Sequence, residues 1–313
     1  MTRRRRTVVG ALAAVSAIYA APRIARLPLR EAAAALVGAP QAMAELPAQM
    51  ATAATAVATG RHLGFDTHSY PGDRAMRAWR TQAGTPYEWV GYYLPAPCHR
   101  DESWSGTRER LADMGWGVAV IYVGQQAWSG ARGPSRAAVA RARRDGTLSC
   151  HRSLLGASRG AAEADDAIAR TKAEGFAPGT VIFLDIEHMD LTPPRMREYY
   201  RAWTERVLAD GRYRPGYYVH TRNAQVVYRD VREVFDDAGV LAEPPFWIAS
   251  ERGFTPGKLP RDVGHDFAAV WQGALDVAQT WNGVRLPIDV NVAALPSPSS
   301  HEYAPEPLVA YGD

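Results

Sequence analysis

Eight short apolar runs recur through residues 61–293, and most of them are separated by segments with helical periodicity. This alternation is typical of βα units built around a parallel sheet. The predicted strands are residues 63–66, 89–94, 117–123, 181–187, 216–220, 246–249, 268–272 and 286–291. A chain of 313 residues has room for one barrel of about 250 residues and an additional arm.

The predicted helices stop after the sixth strand. They cover residues 73–80, 107–114, 161–174, 194–209 and 224–236. The next connection, 250–266, is rich in Gly and Pro, and Asn282-Gly283 between alternating apolar flanks is a favoured two-residue hairpin turn. The sequence therefore predicts an α/β fold, a TIM-like incomplete barrel of (β/α)5 followed by three β-strands.

The first 60 residues differ in composition from the rest. Four arginines at 3–6 precede an apolar run that ends near Ala21, which is typical of an export signal, and Arg5-Arg6 resembles the twin-arginine type. We expect an export signal over 1–21, an Ala/Pro-rich spacer over 22–60, the barrel over 61–293 and a C-terminal tail over 294–313. An uncleaved membrane anchor and a cytosolic protein with a basic tail are the alternatives.

Charge and motifs limit the partners. The net charge is +3, but residues 1–60 hold seven arginines against two glutamates, so the remainder is slightly acidic and is not expected to bind nucleic acid. Walker and G-x-G-x-x-G motifs are missing from the sequence, which predicts no nucleotide partner and no cofactor. The eight histidines form no H-E-x-x-H pair, and no metal is predicted; a deacetylase-like site on Asp66 and His68 is the alternative.

Cys98 and Cys150 are the two cysteines of the chain. In an oxidising compartment an even pair is a disulfide candidate, and two unpaired thiols are the alternative.

The run from Val181 to Leu184 would be a fully buried strand if it did not continue into Asp185 and Glu187. Side chains alternate across a strand, so these two acids share one face, with Cα atoms about 6.5–7 Å apart. At the carboxyl end of a barrel strand that face points into the mouth where barrel enzymes hold their active sites. Two close carboxylates in a partly dry cleft can divide into one acid and one anion, which is what cleavage of a glycosidic bond needs.

Two other strands end in an acid, at Asp66 and Asp289. The first and eighth strands of a closed barrel are neighbours, so all four acids are expected at one mouth; simple capping of the following loops is the alternative. Aromatic and polar residues at the same strand ends suit a glycan, although aromatics at strand positions are often core. The candidate substrate-binding residues are His68, Tyr92, Tyr218, Trp247, Trp271, Gln272 and Asn291.

Six short motifs occur in an order that resembles a known family: Gly-Phe-Asp at 64–66, Leu-Asp-Ile-Glu at 184–187, Gly-Tyr-Tyr at 216–218, Phe-Trp-Ile-Ala at 246–249, Val-Trp-Gln at 270–272 and Ile-Asp-Val-Asn at 288–291. The set resembles the family 25 glycoside hydrolases, the Chalaropsis-type muramidases. It is closer still to the exported actinobacterial glycoside-hydrolase-like domain of unknown function, whose members carry twin-arginine signals.

The resemblance implies an incomplete barrel, an exported or envelope-associated protein and a cell-wall glycan as partner. By motif, Glu187 would be the general acid, Asp185 the carboxylate that assists at the anomeric centre, and Asp66 and Asp289 supporting acids. The segment 124–160 has no obvious counterpart in family 25. Its arginines form either a solvated helix face or a patch for anionic wall polymers; they are Arg132, Arg136, Arg141, Arg143 and Arg144.

Two further functions compete with a glycosidase. The first is a glycan-binding module that keeps the barrel and cleft without turnover. The second is a serine hydrolase, because residues 156–160 match the G-x-S-x-G elbow and the order Ser158, Asp185, His220 fits a triad. The polar residues before Ser158 disfavour it, since an elbow follows a strongly apolar strand.

Overall fold

The computed structural model describes residues 60–81, 85–127 and 135–300. The predicted export signal, nearly all of the spacer and residues 301–313 lie outside the described residues. Among the described helices, none combines the length and the apolar character that crossing a membrane requires.

Eight strands close into one barrel in chain order. The first seven run parallel to one another, and the eighth runs antiparallel to both the seventh and the first. An α/β fold with an eight-stranded barrel is therefore confirmed. The strands are β1 (His62–Asp66), β2 (Tyr87–Tyr93), β3 (Gly117–Tyr122), β4 (Val181–Ile186), β5 (Arg214–His220), β6 (Phe246–Ala249), β7 (Ala268–Trp281) and β8 (Val284–Ala293).

Helices follow each of the first five strands. They are α1 (Asp73–Thr81), α2 (Arg108–Asp113), α3 (Arg136–Arg144), α4 (Ala157–Ala173), α5 (Pro194–Asp210) and α6 (Thr221–Asp237). Between β6 and β7 the chain forms one short 3-10 helix, Pro260–Val263, and no α-helix. The Gly- and Pro-rich composition of that connection explains why helical periodicity ends there.

The β7–β8 hairpin extends beyond the barrel ladder and covers its outer flank. Asn282 and Gly283 form its two-residue turn with φ values of 49° and 75°, the left-handed region that such turns require. The hairpin packs beside α1: the indole of Trp79 donates to the carbonyl of Val284 over 3.0 Å. This packing protects a flank that a helix covers in a complete (β/α)8 barrel.

The chain after β8 is part of the folded unit. β3 and β4 pair from Val120↔Ile182 onward, and the tail fills the gap below that point. The N–H of Ser299 donates to the carbonyl of Val118 over 3.0 Å, and the carbonyl of Ser299 accepts from the N–H of Val181 over 3.0 Å. Its hydroxyl accepts from the N–H of Val120 over 2.7 Å. Packing therefore continues past the predicted barrel boundary at 293.

Cys98 and Cys150 are joined by a disulfide. It links the loop after β2 to the segment before α4, where the side-chain amide of Gln125 donates to the carbonyl of Ser149. We expect the unreduced protein to present no reactive thiol and the denatured, reduced protein to present two. Thiol titration under both conditions measures this, and two reactive thiols before reduction would contradict the bridge.

Candidate functional site

Asp66 ends β1 and is 4% exposed. Its carboxylate accepts three hydrogen bonds from neutral side chains: the hydroxyl of Tyr93 at 2.8 Å, the amide of Gln272 at 2.9 Å and the amide of Asn291 at 2.8 Å. Burial raises the pKa of Asp66, while the three donors act in the opposite direction. Asp66 is thus a buried acid whose acceptor sites are filled by its own protein.

Asp185 and Glu187 occupy the carboxyl end of β4. Asp185 is 7% exposed, and its Oδ1 has no hydrogen-bond partner among the described residues. Burial, together with the nearby charges of Glu187 and Asp66, raises the pKa of Asp185 well above its ordinary value. Glu187 is half-buried. The two acids therefore differ in exposure: Asp185 is almost completely buried, and Glu187 is partly exposed to solvent.

Asp289 on β8 pairs in register with Asp66 on β1. Its carboxylate accepts from the backbone N–H of Asp276 at 2.7 Å and from the amide of Gln272 at 3.3 Å. Burial, followed by the charge of Asp66, raises the pKa of Asp289 to about 7. The amide nitrogen of Gln272 consequently lies between two carboxylates and donates to both.

Tyr218 on β5 connects the acids. It pairs in register with Asp185, and its hydroxyl donates to the Gln272 carbonyl oxygen over 2.6 Å. Burial raises the pKa of Tyr218, and all four acids add to the increase. Strand register and the hydrogen bonds of Gln272 place Asp66, Asp185 and Asp289 around this phenol. Glu187 follows on the same face as Asp185, so the mouth brings together the four sequence-predicted acids.

Trp247 and Asn291 lie beneath the acids in the barrel interior. The indole of Trp247 donates to the side-chain oxygen of Asn291 over 3.0 Å, and both residues are fully buried. The Trp247 ring packs edge-on against Trp89, Phe183 and Tyr218. These two predicted substrate-binding residues thus support the floor of the mouth and are covered by it.

Tyr92 and Trp271 face away from the mouth, which corrects the expectation for both. Tyr92 is fully buried outside the barrel wall, with its hydroxyl on Glu174. Trp271 is fully buried, and its indole donates to the carbonyl of Ser250 over 2.7 Å. Side chains alternate along a strand, and the inward positions here belong to the neighbours Tyr93 and Gln272.

His68 lies at the rim and its side chain is 73% exposed. Its ring is 4.4 Å from that of His99, which in turn stacks at 4.7 Å on Tyr93. His99 is 3% exposed, and burial lowers its pKa to about 4. Sequence analysis did not select His99 for the site, and on β2 it selected Tyr92 instead of the neighbouring Tyr93.

Gln126 is a second residue that sequence analysis missed. It follows β3 and is 1% exposed. Its side-chain nitrogen donates to the carbonyl of Asp185 over 2.8 Å, and its side-chain oxygen accepts from the N–H of Glu187 over 3.0 Å. The residue therefore holds the main chain of β4 on both sides of Ile186.

Ser158 is not placed on a nucleophile elbow. It is exposed in the first turn of α4 and follows the short 3-10 helix Arg152–Leu154 instead of a strand. His220 caps α6 through Nδ1, which accepts from the N–H of Arg222. The serine-hydrolase alternative is unsupported, because an elbow needs a strand that presents the serine above the sheet.

The arginines of α3 lie on a helix in which no residue is buried. Arg136, Arg141, Arg143 and Arg144 are all exposed, and Arg132 lies outside the described residues. Arg141 pairs with Asp145 over 3.6 Å.

In the described part of the chain, no group of three or more His, Cys, Asp or Glu has an arrangement that could hold a metal ion.

An eight-stranded barrel with four acids and two tyrosines gathered at one mouth fits a glycoside-hydrolase-like protein. The chain belongs to the family described as Rv2525c-like, glycoside hydrolase-like domain, whose model matches residues 77–293.

Several solved structures are similar to this chain. An uncharacterized protein of B. stearothermophilus is 20% identical with a TM-score of 0.50, covering 74% of this chain and 95% of its own. The Tat-secreted protein Rv2525c of Mycobacterium tuberculosis is 18% identical with a TM-score of 0.41, over 74% and 94%. A family GH25 lysozyme from Aspergillus fumigatus is 12% identical with a TM-score of 0.40, over 75% and 94%. No curated protein matches the sequence.

Proposed function

We propose that this protein is an exported glycosidase that acts on peptidoglycan or a related cell-envelope glycan. The observation that carries the proposal is the convergence of four acids around Tyr218, with one carboxylate oxygen of Asp185 left without a partner among the described residues. A buried acceptor without a partner carries a desolvation cost that a donor from a bound ligand removes. Sugar hydroxyl and N-acetyl amide groups are donors of this kind.

Glu187 is the proposed general acid and Asp185 its partner at the anomeric centre. Glu187 is half-buried at the strand end, where it can reach a glycosidic oxygen and exchange its proton with solvent. Asp185 is neutral over more of the pH range than an ordinary aspartate, because burial raises its pKa. The ionised form of Asp185 is the one that stabilises the positive charge developing at the anomeric carbon, and that positive charge in turn lowers the pKa of the carboxyl group.

Asp66 and Asp289 are the proposed supporting acids. The carboxylate of Asp66 accepts hydrogen bonds from three side chains, so its proposed role is to hold Tyr93, Gln272 and Asn291 in place. Gln272 is 2% exposed and donates to Asp66 and Asp289, so it orients the Tyr218 hydroxyl from below. Tyr218 then presents a part-exposed ring to the sugar, and His68 extends the rim. Aromatic rings accept the C–H faces of sugars while oriented polar groups bind the hydroxyls.

The remaining parts of the proposal concern architecture and export. The element order supports an incomplete TIM-like barrel, (β/α)5 followed by three strands. Arg5-Arg6 before an apolar run supports a twin-arginine signal over residues 1–21. An exported protein also agrees with a disulfide between its two cysteines.

The proposed activity is tested with the full chain and purified cell-wall glycan, by measuring new reducing ends. We expect release by the wild type and a loss of about 10²–10⁴-fold in Glu187→Gln, the range for removal of a general acid. Glu205→Gln, an exposed position on α5, is the matched control and should keep wild-type release. Saturable glycan binding without release would replace the glycosidase by the binding module.

A further inference from the structure

The main chains of β3 and β4 separate just before the acid pair. Their ladder ends at Tyr122↔Leu184, after which the β3 chain turns, with the N–H of Gly124 donating to the carbonyl of Tyr122 over 3.1 Å. The ladder therefore places no β3 residue opposite Ile186, between the carbonyl of Asp185 and the N–H of Glu187. Buried main-chain groups of this kind require a substitute.

The side chain of Gln126 is that substitute. In a parallel ladder one residue accepts from one residue of the neighbouring strand and donates to the residue two positions away. Gln126 donates to the Asp185 carbonyl over 2.8 Å and accepts from the Glu187 N–H over 3.0 Å. Its side-chain amide therefore extends the ladder by one step after the backbone has left.

We propose that Gln126 is a positioning residue for the acid pair, which fixes the direction in which Asp185 and Glu187 leave β4. Both hydrogen bonds go to main-chain atoms, and Gln126 is 1% exposed, so it acts through β4 and touches no reacting atom. It bonds the peptide groups on either side of Ile186 and thereby keeps the two side chains on one face of the strand.

The anchor of Gln126 is rigid because the preceding residue is locked in place. The N–H of Gln125 donates to the carboxylate of Glu163 and to the hydroxyl of Tyr199, and its amide donates to Glu163 over 2.8 Å. Its side-chain oxygen accepts from the N–H of His151 over 3.0 Å, next to the disulfide. The acid pair is thus tied through Gln126 to α4 and to the bridged loop.

The geometry requires one donor and one acceptor at the end of the side chain. A leucine supplies neither, and an ionised carboxylate supplies only acceptors. A protonated carboxyl supplies both, so Gln126→Glu should position the pair only when its carboxyl holds a proton. Burial raises the pKa of a glutamate side chain at this position. The loss of positioning on deprotonation is therefore expected in the mildly acidic pH range.

The first test rests on the proposed function and measures glycan hydrolysis against pH. Dividing the rate of Gln126→Glu by that of the wild type at each pH removes the titrations that both share. We expect a ratio below about 0.1 at pH 8 that rises toward 1 as the pH falls through the titration of the introduced carboxyl. Gln279→Glu is the matched control: its Oε1 accepts from Tyr87 and Trp281, which a carboxylate can also do.

The second test needs no catalysis. Hydrogen exchange of the Glu187 amide, followed by NMR, should accelerate at least about tenfold in Gln126→Leu, since this variant removes its acceptor. Amides within the β4–β5 ladder should stay protected, which separates loss of the clamp from loss of the fold.

The two tests fail separately. A flat activity ratio across pH, or unchanged exchange at Glu187 in Gln126→Leu, overturns the role of Gln126. A wild type that releases no reducing ends overturns the proposed function alone, because the exchange measurement then still decides whether Gln126 holds the strand.

Discussion

Ending the chain at Ala293 is expected to lower the melting temperature by about 10 °C, although the eighth strand is left complete. The tail inserts into the lower gap between β3 and β4, where Ser297 and Ser299 bond main-chain groups of both strands. Truncation leaves the N–H groups of Val118, Val120 and Val181 without these partners. Each loss costs about 1 kcal/mol, and a domain of this size loses about 2–4 °C per kcal/mol.

The matched control is a chain that ends at Ser300, because it keeps every one of these bonds. Ser299→Ala in the full chain is an intermediate case: Ser299 is 1% exposed, and removal of its hydroxyl affects the Val120 bond alone. Thermal unfolding followed by circular dichroism should rank the Ser300 chain first, Ser299→Ala second and the Ala293 chain last. Equal melting temperatures for the chains ending at Ala293 and Ser300 would refute the role of the tail.

The barrel was predictable because its signals are local. Apolar runs, helical periodicity and the Asn282-Gly283 turn each depend on neighbouring residues. The gathering of Asp66 and Asp289 followed from one topological fact, that the first and last strands of a closed barrel are adjacent. Asp66 ends β1 as the sequence indicated, but Asp289 lies in the middle of β8, so its position beside Asp66 depends on the antiparallel register of these two strands.

It was harder to predict which residues of a strand point into the barrel and which point outward. On β2 the residues Gly91, Tyr92 and Tyr93 give no polar marker that separates the inner from the outer face, and a shift of one residue exchanges them. The same holds for Trp271 beside Gln272. For these residues the decisive information is the register against a neighbouring strand.

Gln126 and the tail were beyond sequence reasoning for a different reason. Each acts where a strand ladder stops, at Tyr122↔Leu184 above and at Val120↔Ile182 below. The length of a ladder depends on how two distant segments diverge in space, and a single sequence carries no local mark of that point. A glutamine or serine in a connection therefore looks like any other polar loop residue.

Asp185→Asn is expected to reduce glycan release strongly and at the same time to stabilise the protein at neutral pH. In the wild type an almost dry carboxyl with an unpartnered Oδ1 faces Glu187 and Asp66. An amide removes the like-charge contacts and gains a donor toward the neighbouring carboxylates. We expect a rate loss of about 10²–10⁴-fold together with a higher melting temperature.

The stability gain should depend on pH with a definite sign. The pKa of Asp185 is raised in the folded state. The stability that its neutral carboxyl group contributes is therefore fully present below the pKa of the unfolded chain, and it is lost as the pH rises through the pKa of the folded protein. The difference between Asp185→Asn and the wild type should therefore be smallest near pH 4 and grow as the pH increases. Melting temperatures measured from pH 4 to 8 test this trend.

Asp66→Asn is the matched variant with the opposite expectation. Burial also raises the pKa of Asp66, but its carboxylate accepts from Tyr93, Gln272 and Asn291. An amide group there turns donors toward donors and leaves buried groups unsatisfied, which costs about 1–3 kcal/mol. If both variants were destabilised alike, Asp185 would be a packed structural acid. The proposed difference between Asp66, whose carboxylate accepts three hydrogen bonds, and Asp185, whose Oδ1 accepts none among the described residues, would then have no effect on stability.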